Sequence, residues 1–562
     1  MPRRMRVQGV QVLVASAVVA VVLAIGLPVA VQKLQGDFRA SRGGGSPLPS
    51  HTAGPSVFRF YQENPNTLDP TLASDSYASC VIAQIYSPLV GLTSDLEPTP
   101  QVAESWTISH DGLRYVFHIR PGVRFHNGRE VTARDFEYSL TRVFREPFRT
   151  NGLAANYLDA IVGVPEFTSG KAKRIRGIRV LDPRRLEITL ARPYSSLLTA
   201  LALDQTSAVP REIADLGQQA LERHPVGTGP FRFVRRDARQ VVLAGNREYF
   251  MGSPGIDTLI FYTPRGDVTA QGADALLEGH ATLSQLPVTR IEEFRARPGI
   301  AVLRWNDLSL AFIGMNTRMR PLNDPRVRQA IALAMDRQGM LNARPEGKSI
   351  ATGILPPGLP GYAPAQKAYM RDVSAAQALL AKAGYNRRHP LPPLTLWKSS
   401  SSANARAADT VMVRSLAEAG ITVTLRYETW GMLDNMITGR RAPLFALSWV
   451  ADIPDPDTFL RALFYSRSST NYFGFSSHVV DSLLDRARDS ADPDERMAAY
   501  RRAEETILKM APFVPLYHTA SFIGIRDDVA GLEMNPLGIS TLQMEKLRFT
   551  EPEHDDGRRV TR

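Results

Sequence analysis

The 562-residue sequence has very little cysteine, with Cys80 as the only one. A single cysteine excludes an intrachain disulfide and a cysteine-rich zinc site. The chain also lacks the Gly-x-Ser-x-Gly turn of α/β-hydrolases and the His-Glu-x-x-His pattern of zinc peptidases. Cys80 lies in an ordinary helical stretch and is no evident nucleophile. An exported hydrolase is therefore the least favoured function.

Dense runs of basic residues are also absent. The formal net charge is +11, and residues 1–42 contribute +5 of it. No Lys/Arg cluster with interleaved aromatic residues occurs, so the sequence does not favour nucleic-acid binding. With 44% apolar and 22% charged residues, the chain has the composition of an ordinary globular protein.

One long apolar run lies near the N-terminus. No charged residue occurs between Arg6 and Lys33, and Val12–Val31 is 20 residues long, about the length that one helix needs to span a bilayer. The arginines before it predict a cytoplasmic N-terminus and an exported remainder. Residues 9–31 are therefore an uncleaved membrane anchor or a signal peptide, with no lipoprotein cysteine after them.

The rest of the chain predicts an α/β fold with several clear local signals. Asp111-Gly112 predicts a hairpin between strands at 105–109 and 113–120. Thr132 and Asp135 form a capping box that opens a helix running to Val143. Asp324 is a predicted N-cap, followed by proline at the first helical position. His118 and His126, eight residues apart in the same meander, are interpreted as surface residues rather than metal ligands.

Three aspartates follow an apolar strand in the segment FALSWVADIPDPDTF. Asp452, Asp455 and Asp457 do not have calcium-loop spacing, and no glycine intervenes. Asp455 precedes Pro456 and is a predicted N-cap worth about 1 kcal/mol, and Asp457 suits the first helical turn. Asp452 remains without a structural explanation at the end of the strand, where α/β folds place their ligand crevices.

Several blocks of the sequence, in order, resemble a known family. They are NTLDP (66–70), AESWTISHDGLRYVFHIRPGVRFHNGREVTARDFEYSL (103–140), GTGPF (227–231), NTRMRPLNDPRVRQAIALAMDR (316–337), WVADIPDP (449–456), VDSLLDRARDSADPDERMAAYRRAE (480–504) and APFVPLY (511–517). Together they are similar to the extracytoplasmic solute-binding proteins of ABC importers, in the dipeptide/oligopeptide class (family 5).

The resemblance implies a two-lobed, type II periplasmic-binding-protein-like α/β fold, with an extra subdomain in lobe one and ligand between the lobes. It divides the chain as follows: an anchor or signal segment 1–42, a Gly/Ser/Pro linker 43–56, lobe one 57–309 with a subdomain near 105–215, lobe two 310–512, a return to lobe one 513–550, and a polar tail 551–562. Crossings between the lobes are expected near 305–315 and 510–520.

The resemblance also implies ligand-binding residues. Asp452 matches the aspartate that pairs with the ligand's α-ammonium group, and Trp430 and Trp449 match rings that line side-chain pockets. Asp75, Ser76 and Tyr77 lie in SDSYAS (74–79), which matches a loop that pairs with the ligand backbone as an added strand would. Ile437 and Ala446 stand where some relatives carry basic residues for the ligand's carboxylate.

The function that follows is capture of a peptide outside the cytoplasmic membrane and delivery to a permease with ATPase subunits. The chain is expected to be a monomer without catalytic residues, metal or cofactor. Other solutes stay open within the same fold: a nickel complex, glutathione or an oligosaccharide. A membrane-tethered sensor or chaperone is a further alternative.

Overall fold

The computed structural model describes residues 55–151, 154–217, 219–343, 347–363, 369–399, 403–490 and 492–550. The predicted anchor at 9–31 and most of the linker lie outside these ranges. Among the described residues, no helix combines the length and the apolar character that crossing a bilayer requires.

The strands, in chain order, are β1 (Val57–Tyr61), β2 (Val90–Leu92), β3 (Pro98–Pro100), β4 (Ala103–Ile108), β5 (Arg114–Ile119), β6 (Ile178–Asp182), β7 (Arg185–Thr189), β8 (Phe231–Arg236), β9 (Gln240–Gly245), β10 (Thr258–Tyr262), β11 (Leu283–Gln285), β12 (Ile300–Asn306), β13 (Ser309–Met315), β14 (Lys348–Ile350), β15 (Leu394–Ser399), β16 (Val423–Glu428), β17 (Leu444–Val450), β18 (Phe513–Arg526), β19 (Val529–Ala530) and β20 (Arg548–Phe549).

The α-helices are α1 (Ser76–Ile85), α2 (Ala133–Arg142), α3 (Phe148–Asn151), α4 (Val164–Thr168), α5 (Leu197–Ala200), α6 (Arg211–Ala214), α7 (Ala220–Arg223), α8 (Val268–Leu277), α9 (Ile291–Arg295), α10 (Pro325–Ala334), α11 (Arg337–Asn342), α12 (Val373–Lys382), α13 (Ala403–Glu418), α14 (Trp430–Thr438), α15 (Leu460–Phe464), α16 (His478–Asp489) and α17 (Pro493–Met510).

A mixed sheet runs through both halves of the molecule in the order β16-β15-β17-β13-β18-β11-β1-β10-β9-β8. Strand β18 joins the halves: its first part, from Phe513 to Tyr517, pairs with β13, and its second part, from Ala520 to Arg526, pairs with β12. We call the half built on β1 and β8–β12 lobe one, and the half built on β13–β17 lobe two. Each half has its own apolar cores.

The chain passes between the lobes at two adjacent places, 307–308 and 518–519. Here Asp307 accepts hydrogen bonds from the hydroxyls of Thr519 (2.8 Å) and Ser521 (3.0 Å), and Ser309 and Thr519 share a third at 2.6 Å. Burial raises the pKa of Asp307 above its ordinary value. These short polar crossings are the places where backbone rotation would move one lobe against the other. The domain limits that the sequence suggests remain a prediction.

A four-stranded antiparallel sheet, β4-β5-β7-β6, forms the subdomain together with α2. Its core is separate from those of the lobes and contains Phe117, Phe125 and Phe136. The predicted hairpin between β4 and β5 is confirmed. The capping box of Thr132 and Asp135 is also confirmed, and so is the cap of Asp324 on α10.

The Gly-Thr-Gly turn before β8 packs on the C-terminal end of α1. Gly229 donates its N–H to the carbonyl of Ile85 at 2.8 Å, and a Cβ on Gly227 would lie 2.0 Å from that oxygen. His126 is part of the same packing, with its Nε2 3.0 Å from the carbonyl oxygen of Gly229. Burial lowers the pKa of His126 to about 4. The interpretation of His126 as a surface residue is therefore wrong, because its ring holds the turn that supports α1.

Candidate functional site

A cavity of about 330 Å³ lies between the lobes. Lobe one supplies the N-terminal end of α1 and the segment 199–205, and lobe two supplies residues 450–454, from the last residue of β17 onward. The chain beyond β18 closes a third side with residues between 535 and 545. This position matches the expectation that a ligand crevice opens where a strand of the sheet ends.

Asp452 lies in the wall of this cavity. It follows β17, and the N–H of Ala451 is tied to the carbonyl of Leu308 at 2.8 Å, which fixes the segment next to the first lobe crossing. The carboxylate Oδ2 accepts a hydrogen bond from the hydroxyl of Tyr157 at 2.6 Å. Because Tyr157 packs on the subdomain core, this contact spans the cleft. Burial raises the pKa of Asp452, and the bond from Tyr157 opposes that shift.

Asp75 and Ser76 line the opposite wall of the cavity. Asp75 is the N-cap of α1 and accepts from the N–H groups of Tyr77 (3.0 Å) and Ala78 (2.8 Å). The side chain of Tyr77 packs instead against the core of lobe one, and burial raises its pKa. The predicted loop at 74–79 is therefore wrong from Ser76 onward, since these residues form the first turn of a helix and cannot pair with a ligand as a strand.

Of the two tryptophans, Trp449 is partly buried against the core of lobe two. Its indole N–H donates to the carbonyl of Thr458 at 2.7 Å, and its neighbour Val450, 58% exposed, lines the cavity. Trp430 begins α14, and its side chain lies outside the described part of the structure. Asp452, Asp75 and Ser76 thus share the cavity wall. The ligand roles of all six predicted residues remain predictions.

Asp455 does cap the following turn, as predicted, by accepting from the N–H of Asp457 at 2.9 Å on a 3₁₀ helix, Pro456–Thr458. The structure adds a buried ion pair that the sequence did not indicate. Arg496 of α17 lies 2.5 Å from Asp455 Oδ2, with the two side chains 11% and 6% exposed. The hydroxyl of Ser196, from the subdomain, also donates to this oxygen.

Asp457 joins the same network through other partners. The hydroxyl of Tyr500 donates to its Oδ1 at 2.8 Å, and the Nε of Arg488 lies 3.7 Å from its Oδ2. Burial and the neighbouring Asp455 raise the pKa of Asp457 to about 6. Arg488 also reaches Asp159 of the subdomain at 2.9 Å. The aspartates after β17 therefore have three different sets of partners, and two of the three connect lobe two to the subdomain through a hydrogen bond.

The cavity wall contains further acidic residues that sequence reasoning missed. Asp204 lies in the segment after α5, and Glu545 lies in the chain beyond β18. Burial raises the pKa of Asp204 to about 6 and raises that of Glu545 as well. No local signal marks these residues, because they reach the cavity only through the tertiary fold.

Cys80 is fully buried in α1, and burial raises the pKa of its thiol. A thiol that is neither exposed nor ionised does not act as a nucleophile. Among the described residues, no group of three or more His, Cys, Asp or Glu side chains is arranged to hold a metal ion.

Comparison with known proteins places this geometry in a family. Residues 97–471 match the profile of bacterial extracellular solute-binding proteins, family 5. A probable di/tripeptide-binding protein of Pseudomonas aeruginosa is 32% identical over 462 residues, which cover 78% of this chain and 85% of that protein. Heme-binding protein A of Haemophilus influenzae is 30% identical over 478 residues, with 81% and 85% of the chains covered.

Comparison with solved structures gives the same family as comparison of the sequences. The periplasmic binding protein DppA of Helicobacter pylori, solved with the peptide STSA, superposes with a TM-score of 0.73 at 26% identity, over 88% of this chain and 98% of that one. The predicted two-lobed α/β fold is thereby confirmed. The chain belongs to family 5 of the bacterial extracellular solute-binding proteins.

Proposed function

We propose that the protein is the receptor of an ABC importer that captures short peptides outside the cytoplasmic membrane and delivers them to a permease. The observation that carries the proposal is the carboxylate of Asp452 in the wall of the cavity between the lobes. The similarity to peptide-binding relatives supports it. The receptor works as a monomer and breaks no bonds.

The chemistry of the pocket suits a free amine. An ammonium group that leaves water loses its hydration, and this costs free energy unless a charge-assisted hydrogen bond replaces it. Asp452 supplies that bond at the rim of lobe two, where Tyr157 already holds its Oδ2. A volume near 330 Å³ is at the lower end of the range of small-ligand sites, which favours peptides of two or three residues.

Native mass spectrometry of the mature protein, purified from producing cells, tests this function. The expected result is a bound mass that corresponds to short peptides and is released on denaturation. A bound mass that corresponds to a nickel complex, glutathione or an oligosaccharide would show that the ligand is not a peptide. A ligand-loaded protein that binds no permease would favour a sensor or chaperone over an importer.

Closure of the lobes on the ligand is expected to make the particle more compact, with rotation at 307–308 and 518–519. Small-angle X-ray scattering of the mature protein, with and without saturating peptide, measures the change as a smaller radius of gyration in the loaded state. Superimposable profiles at saturation would contradict hinge closure.

The N-terminal segment is proposed to stay attached as an anchor in the cytoplasmic membrane. The support is the 20-residue apolar run and the arginines before it. Mass spectrometry of the mature N-terminus decides between an uncleaved anchor and a cleaved signal peptide. A protein that begins at or after Val31 was processed by signal peptidase and is free in the periplasm.

A further inference from the structure

The charged side chains that line the cavity all carry the same sign. They are Asp75, Asp204, Asp452 and Glu545, and no lysine, arginine or histidine is among the described residues that form the wall. The nearby basic groups are engaged elsewhere: Arg142 forms a buried ion pair with Asp69 at 2.5 Å, and Arg120 donates to the carbonyl of Gln101 at 3.4 Å. Four carboxylates around one small cavity favour a cationic occupant.

The lobe-one wall also contains hydrogen-bond acceptors without donors. Among the described residues, Oδ2 of Asp204 and Oε1 of Gln205 are buried and have no hydrogen-bond partner, whereas Oδ1 of Asp204 accepts from the N–H of Gln205 at 3.1 Å. Gln205 is 3% exposed, and its amide nitrogen donates a hydrogen bond to the carbonyl of Ala73 at 3.1 Å. Buried polar atoms are nearly always paired, and a ligand in the adjoining cavity could supply the donors that these two acceptors lack. An ammonium group has three donors and a guanidinium five.

These acceptors lie on a different side of the cavity from Asp452. Asp75 lies close enough to Asp204 for its charge to raise the pKa of that carboxyl, and the two residues lie on lobe one. Asp452 lies on lobe two and is bonded across the cleft to Tyr157 of the subdomain. Its pKa shift arises from burial rather than from the other carboxylates. The cavity therefore presents the carboxylate of Asp452 on one side and, on the other, the carboxylates of Asp75 and Asp204 with the neutral amide of Gln205 beside them.

We propose that the ligand is a short peptide with a basic side chain, whose α-ammonium binds Asp452 while its lysine or arginine side chain binds Asp204 and Gln205. The inference rests on the proposed function and names its substrate class. It also implies that the peptide's C-terminal carboxylate has no basic partner in the wall. A C-terminal amide is then expected to bind at least as tightly as the free acid.

The test is calorimetric titration of the full-length protein with two dipeptides of equal size, alanyl-lysine and alanyl-norleucine. A hydrogen-bonded charge pair that replaces a neutral contact is expected to make alanyl-lysine roughly tenfold to hundredfold tighter. Asp204→Asn removes the charge and keeps the shape, so it should bring the two affinities within about threefold of each other by weakening alanyl-lysine alone. Glu292→Gln changes the net charge equally on an exposed helix and should leave the preference unchanged.

A second measurement uses the wild-type protein and does not depend on the variant's folding. Burial raises the pKa of Asp204 to about 6. The negative charge of Asp75 adds to the shift, and a hydrogen bond from the side chain of Ser79 opposes it. Asp204 therefore loses its charge as the pH falls through that value, and the preference for lysine should be smaller at pH 5 than at pH 7.5. Both dipeptides carry the same α-amine, so titration of Asp452 affects both affinities equally and cancels in the ratio of the two.

The outcomes separate the two proposals. Equal affinities for the two dipeptides at pH 7.5 would overturn the basic-peptide inference and leave the peptide receptor intact. If neither dipeptide binds, nor a neutral tripeptide, the proposed function itself fails. A preference for lysine that Asp204→Asn leaves unchanged would also overturn the inference, because the cation then binds elsewhere.

Discussion

Asp452→Ala is expected to weaken the binding of a peptide with a free amine by roughly 100- to 5000-fold. Breaking one side of a buried charge pair typically costs about 3–5 kcal/mol, and each 1.4 kcal/mol is a factor of ten in affinity. The ligand's ammonium would remain in the cavity without its carboxylate. Calorimetric titration with one dipeptide, on wild type and variant, measures the loss.

Two further variants separate charge from shape. Asp452→Asn keeps the size of the side chain but loses its charge, so it should also weaken binding strongly. Tyr157→Phe removes the hydroxyl that bonds Asp452 at 2.6 Å and keeps the carboxylate, so it should cost far less affinity. If Asp452→Ala binds as tightly as wild type does, Asp452 is only a loop residue and the case for peptides is largely lost.

Asp455→Ala is expected to lower the free energy of unfolding by about 3–5 kcal/mol, because it leaves the guanidinium of Arg496 buried without its partner. This replaces the sequence-based expectation of about 1 kcal/mol for the loss of a helix cap. The hydroxyl of Ser196 would also lose its acceptor. Equilibrium denaturation in urea measures the change, provided that the transition is followed with two probes.

Asp492→Ala is the matched control, since Asp492 is an exposed cap of α17 that accepts from the N–H groups of Asp494 and Glu495. Its loss should cost about 1 kcal/mol. If the two variants were equally destabilised, the ion pair of Asp455 with Arg496 would contribute nothing beyond the cap.

The features that could be predicted from the sequence are those in which both partners lie within a few residues. The β4–β5 hairpin, the capping box of Thr132 and the caps of Asp324 and Asp455 depend on spacings of two to four residues. The helix that begins at Ser76 also had such a signal, because Asp75 is a good N-cap. The family resemblance instead predicts a binding loop at 74–79, and the helix contradicts that prediction from Ser76 onward.

The parts of the site that were missed depend on contacts between distant residues. Tyr157 lies 295 positions from Asp452, and Ser196 lies 259 from Asp455. Neither pair has a spacing that a periodic pattern reveals. Asp204 carries no motif, and only the fold brings it into the same cavity as Asp452. The resemblance therefore indicated two carboxylates of the cavity, Asp75 and Asp452, whereas the acidic character of the whole wall became visible only in three dimensions.

The most direct measurement for the peptide receptor is a calorimetric comparison of one dipeptide with its N-acetylated form on the wild-type protein. Acetylation removes the charge of the α-amine and leaves the carboxylate of Asp452 facing a neutral amide. We expect micromolar or tighter binding of the free dipeptide and a loss of at least about 100-fold on acetylation, in line with a broken buried charge pair. Equal affinity for the two forms would contradict it, because the cavity would then hold its ligand without using the amine.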